Sequence, residues 1–151
     1  MRLRDLDVSF KVAYLFFCVL AVLGLVFALL IVELKVGRTP ADFLTYYRGN
    51  EELMKYPKTS LQLAEVSHFH SFITSVLLLV SAFFFSLTSM RGWVKTTTVV
   101  FTAIGMLGLV LVPWVLRFGP EGLVLLKPVS SLLMVGGLLF MMGATLKEMF
   151  L

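Results

Sequence analysis

Apolar residues in this chain gather into four long stretches, not into a stripe along one helix face or an alternating strand pattern. They run from Val12 to Val32, Phe69 to Leu87, Thr96 to Leu116 and Val129 to Leu146, and none contains Asp, Glu, Lys or Arg. A helix needs about 20 residues to cross the hydrocarbon core of a bilayer. Lipid offers no hydrogen bonds to an open backbone, so stretches of this kind predict helices. The expected fold is all-α: an integral membrane, antiparallel four-helix bundle with up-down connectivity, one domain over residues 1–151.

The polar segments punctuate this pattern. The long one, Glu33 to Ser60, predicts a helix of its own. Thr39-Pro40-Ala41-Asp42 offers an N-cap, a proline at the first helical position and an acid three residues after the cap. Gly49 is a stop signal. Phe43, Leu44, Tyr46 and Tyr47 lie between, and aromatic residues suit the membrane–water boundary. Thr59 and Gln62 have capping-box spacing, so the second long helix is expected to begin near Ser60. A tight basic turn, Ser89 to Lys95, joins the second and third stretches. The fourth helix is expected to start as early as Pro120-Glu121, which would put Lys127 about two turns inside it.

Helices in lipid approach closely through small side chains. In the second stretch Ser71, Ser75, Ala82, Ser86 and Ser89 recur at mostly three- and four-residue steps, and predict the face turned into the bundle. Thr98, Thr102 and Gly105 form such a face in the third. In the fourth, Gly136/Gly143 and Gly137/Ala144 each recur at seven.

Composition agrees: 59% of the residues are hydrophobic and 15% charged. The net charge of +4 does not imply nucleic acid, because the basic residues sit in loops and at helix ends. Arg2, Arg4, Lys11, Arg91, Lys95 and Lys147 occupy short segments on one side. The opposite side spreads its cations over a long loop that also carries acids. Short basic segments stay in the cytoplasm, so both termini are expected there. Lipid is the first partner, with other membrane subunits or further copies of the chain as the next. The lone Cys18 reads as apolar filler. The first stretch is too long for a signal-peptide core and is read as a retained span.

Candidate chemistry concentrates in Glu65-Val66-Ser67-His68-Phe69-His70. Glu65 and His68 are three apart on a helix and can touch, which would orient the imidazole. His68 shares the small-residue face with Ser71 and Ser75. His70 shares another with Thr74, Leu77 and Ser81. On a helix the two histidines diverge by about 200°, so a shared copper or zinc ion would need an extended segment. A haem b would take His68 together with Met134 from the fourth helix. A quinone would need an apolar slot with a few polar groups, and His68, Glu65, Trp114 and Arg117 are expected near one end of the bundle. The plain alternative is that these are ordinary residues of the interfacial belt. A di-iron site is incomplete, with one Glu-x-x-His and no glutamate inside any stretch. No inverted repeat, nucleophile–base pair or phosphate loop points to a transporter or to catalytic activity of the chain's own.

The pattern Tyr46-Tyr47-Arg48-Gly49, then His68-Phe69-His70, then Pro113-Trp114 with Arg117, resembles that of small uncharacterised four-span bacterial inner-membrane proteins. The resemblance implies a multi-pass protein of the bacterial inner membrane and carries no activity with it. Three functional expectations follow from the residues. The first is an accessory subunit of a respiratory or electron-transfer assembly, with a haem or quinone site at His68. The second is a cofactor-free scaffold subunit, and the third is copper or zinc handling through His68 and His70.

Overall fold

The computed structural model describes residues 3–151, so Arg2 lies outside the described residues. Five α-helices follow in order: α1 (Val8–Lys35), α2 (Pro40–Arg48), α3 (Ser60–Ser86), α4 (Gly92–Phe118) and α5 (Leu126–Phe150). α1, α3, α4 and the α5 segment are long and apolar enough to cross a membrane. The protein is an all-α four-helix membrane bundle, with α2 as a short helix in the first loop.

Local chemistry sets the helix starts. At α2 the Thr39 hydroxyl accepts from the Asp42 N–H, and the Asp42 carboxylate accepts from the Thr39 N–H at 2.8 Å, a complete capping box. Gly49 follows α2 at φ 83°, a left-handed conformation that a side chain would strain. Thr59 and Gln62 form the second capping box, and α3 begins at Ser60 as its spacing predicts. The α5 start differs from the expectation. Glu121–Leu125 is a 3-10 turn and the α-helix opens only at Leu126, so Lys127 stands in its first turn and not two turns inside.

Connectivity is up-down. At one end Leu3 and Met149 are buried in the same core cluster, placing the start of the described chain beside the end of α5. There the Glu148 carboxylate accepts from the Ser89 N–H at 2.7 Å and from its hydroxyl at 2.8 Å. Lys95 donates to the Ser86 and Thr88 carbonyls at 2.7 and 2.6 Å, a cation on the open carbonyls at the end of α3. The opposite end holds α2, the first loop and the Glu121–Leu125 turn.

The core is built by α3, α4 and α5. α4 and α5 meet where their side chains vanish. A Cβ at Gly105 would lie 2.5 Å from the Met134 nitrogen, and one at Gly137 would overlap the Thr102 hydroxyl. This is close packing through small residues, the means by which helices associate in lipid. Gly137 and Ala144 therefore form the inner pair of α5, while Gly136 and Gly143 face open space.

One packing expectation is corrected. On α3, Ser71, Ser75 and Ser86 are exposed, as is Ser89 in the turn beyond it; of the expected face Ala82 packs on the core, and the buried residues are Leu63, Thr74, Ser81 and Phe85. α1 joins the bundle through its first half. Only Tyr14 and Cys18 are buried along its 28 residues. The Tyr14 ring packs on Phe84 with centroids 4.4 Å apart. Beyond Leu25, no residue of α1 except Val32 is even half-buried.

Candidate functional site

The end of the molecule that carries α2 brings together most of the polar residues picked out from the sequence. Tyr47, Leu63, Val112 and Leu116 form a buried cluster there, with Phe43, Leu44, Tyr46 and Trp114 packed on it. Burial pushes the Tyr47 phenol up to about 12, with neighbouring Tyr46 a smaller cause. Arg48 ties the group down. Its Nε donates to the Leu116 carbonyl at 2.8 Å, one terminal nitrogen donates to the Gly119 carbonyl, and the other reaches Glu121 Oε1 at 3.1 Å. A guanidinium thereby satisfies the last carbonyls of α4, where the helix dipole also favours a cation.

A hydrogen-bonded relay crosses from α4 to α3. Trp114 Nε1 donates to Ser67 Oγ at 2.9 Å, and Ser67 Oγ donates to the Val110 carbonyl at 3.1 Å. One turn further along the same face of α3 stands His70, half-buried. Its Nδ1 is 2.8 Å from the Val66 carbonyl. A neutral imidazole in that pose carries its proton on Nδ1, so Nε2 presents a free lone pair. Thr74 completes the face, its hydroxyl donating to the His70 carbonyl at 2.7 Å.

The other candidates are placed elsewhere. His68 is exposed and meets Phe72 with ring centroids 5.0 Å apart, so it does not look into the bundle. Glu65 is also exposed, and the expected carboxylate–imidazole contact is absent among the described residues. Met134 is buried in the central core, its backbone level with Gly105, whereas His68 is exposed. Arg117 turns toward the loop before α3, where its Nε donates to the Lys58 carbonyl at 3.0 Å. The segment holding both histidines is continuous helix, so the extended geometry that a shared copper or zinc ion requires is not adopted. Among the described residues no three His, Cys, Asp or Glu side chains cluster as metal ligands.

Two residues that matter here were not singled out as site residues. Ser67 had a signal: Ser60, Ser67, Thr74, Ser81 and Thr88 recur every seven residues. Arg48 stands in the Tyr46-Tyr47-Arg48-Gly49 pattern, but nothing nearby in sequence announces its partners, because its acceptors lie 68 to 73 residues away.

A family model described as a transmembrane helical domain matches residues 37–151, which takes in α2 to α5 and leaves α1 outside. No curated protein and no solved structure matches the chain.

Proposed function

The chain belongs to the Aq_1264_TM family of transmembrane helical domains, and from that premise we propose that it is a small scaffold subunit that joins partner helices within a bacterial inner-membrane assembly, its short basic loops facing the cytoplasm. One observation carries this reading: α1 is seated by its first half alone. Tyr14 and Cys18 are the only α1 residues buried in the core cluster, Phe17, Ala21 and Leu25 pack at its edge, and the matched family region does not include α1. Its second half stands clear of the bundle, with Phe27, Leu29 and Leu34 exposed. A helix in lipid gains nothing from apolarity alone and associates by close packing. A helix splayed at one end leaves a wedge that fits a further transmembrane helix.

The test is size in native membranes. Extracted in mild detergent, the full chain should migrate in a complex well above its own 16.9 kDa. A version beginning at residue 37 should insert and migrate alone. A full-length chain that runs as a monomer from its native membrane would end this reading.

A second reading is favoured by His70. Its free Nε2 lies one turn from the Ser67–Trp114 relay, inside an aromatic-rich end of the bundle. That is the acceptor a quinol hydroxyl would need, in keeping with an accessory subunit of an electron-transfer assembly. A haem b would also accept Nε2, but Met134 is buried away as the second ligand. The natively purified protein would then carry extractable quinone, lost in His70→Ala and retained in His68→Ala. Protein free of quinone, with no visible absorption band, would remove this reading and leave the scaffold.

A further inference from the structure

We propose that Lys58 and Arg117 form a binding site for the phosphate of an anionic phospholipid headgroup. The two residues are adjacent in space, since Arg117 Nε donates to the Lys58 carbonyl at 3.0 Å. Each cation is held on an aromatic face: the Lys58 ammonium lies 4.4 Å from the Tyr46 ring centroid, and the Arg117 guanidinium 5.0 Å from that of Phe118. Trp114 lies beside Phe118, with ring centroids 6.3 Å apart. Such a layer of aromatic rings marks the depth of the headgroups.

Arg48, at the same end, has its acid in Glu121. Among the described residues no carboxylate lies within 4.0 Å of Lys58 or Arg117. Among the described residues only Nε of the Arg117 nitrogens has a hydrogen-bond partner, which leaves the two terminal NH2 groups for an anion. Two half-buried cations on neighbouring residues, neither with an acid, leave this end of the bundle positive until an anion reaches it. At this depth the anion at hand is a lipid phosphate, which guanidinium and ammonium groups both recognise. The site does not depend on the scaffold or quinol readings.

The experiment compares the full chain in nanodiscs of phosphatidylcholine with nanodiscs of equal parts phosphatidylcholine and phosphatidylglycerol. Phosphatidylglycerol co-released with the protein is counted by native mass spectrometry. A surface cation contributes roughly fivefold to anionic-lipid affinity, so Lys58→Gln/Arg117→Gln should lower retention about thirtyfold. Lys58→Gln alone should lower it about fivefold and guards against misfolding of the double variant. Arg91→Gln/Lys147→Gln, at the opposite end, should leave this lipid in place. Equal retention by wild type and the Lys58/Arg117 variant would overturn the proposal, as would equal loss in the opposite-end control. Displacement of the lipid by inorganic phosphate at matched ionic strength would also overturn it, by showing a free-anion site.

Discussion

Replacing Gly105 with alanine should destabilise the protein, whereas the same change at Gly136 should not. Both glycines are inside transmembrane helices, so helix propensity alone favours alanine at each, by up to about 1 kcal/mol. The surroundings decide the sign. At Gly136 an added Cβ meets nothing within 4 Å. At Gly105 it would lie 2.5 Å from the Met134 nitrogen, 2.7 Å from the Ser130 carbonyl oxygen and 2.9 Å from Leu133 Cβ, where ordinary contact begins at 3.4 Å. The two nearest obstacles are backbone, which no rotamer change relieves. α4 and α5 must part by about 1 Å, and overpacking of a tight core costs about 1–3 kcal/mol. The net loss for Gly105→Ala is therefore up to about 2 kcal/mol. Gly108 provides an internal control. There the obstacles are the Ser130 hydroxyl and, at 2.5 Å, Ser130 Cβ, while Ser130 Cα is already at 3.7 Å. Ser130→Gly should thus rescue Gly108→Ala and should not rescue Gly105→Ala, a coupling that a double-mutant cycle reads directly. The assay is unfolding by dodecyl sulfate in mixed micelles, followed by far-ultraviolet circular dichroism. Equal stability of Gly105→Ala and Gly136→Ala would refute the close approach of α4 and α5, and failure of the Ser130→Gly rescue would refute their register.

Arg48→Ala should free α2 from the end of α4. Hydrogen bonds to a charged donor contribute about 1.5–3 kcal/mol, and the loss should appear as faster proteolysis between Asn50 and Lys58 with the four spans intact. Trp114→Phe trades the indole for a smaller ring and removes the N–H donated to Ser67, so it should cost at least about 1 kcal/mol in the same micelle assay, and Ser67→Ala added to it should cost less than Ser67→Ala alone, only the bond to the Val110 carbonyl being left to lose. Tyr47 supplies a pH dependence. Its folded pKa is raised above the ordinary value of 10.0 to about 12. The stability that its neutral form contributes is complete below pH about 10 and is lost as pH rises toward about 12. Tyrosinate absorbance should show a late transition near pH 12 that vanishes in Tyr47→Phe, and α2 should become protease-sensitive over the same interval; a titration unchanged by Tyr47→Phe would contradict the burial.

How much of this was legible in the sequence depended on whether the determinant was local. Thr39, Pro40, Asp42 and Gly49 lie within one short segment, and the helix they announce is present with both ends as expected. Thr59 and Gln62 are equally local. The inner face of α3 was not read correctly, for a reason particular to lipid. Exposed and buried positions of a membrane helix are alike in hydrophobicity, so apolar periodicity carries little information about orientation. Two sets of small residues competed along α3. The seven-residue series through Ser67, Thr74 and Ser81 turns inward, because that spacing follows the seam of helices crossing at a shallow angle. The set through Ser71 and Ser75 faces outward. The error carried His68 inward with it and left His70 on the face it occupies. Partners remote in sequence could not be read at all: Arg48 finds its acceptors on α4 and beyond, and Arg117 finds the Lys58 carbonyl 59 residues back.

The contact between Glu148 and Ser89 also sets an order of events during synthesis. The α3–α4 hairpin leaves the ribosome with the Ser89 amide still hydrated, since the carboxylate that will accept from it is 59 residues further along. That water is exchanged for protein only when the last turns of α5 arrive, so the hairpin waits in the bilayer unlatched until α5 has been made.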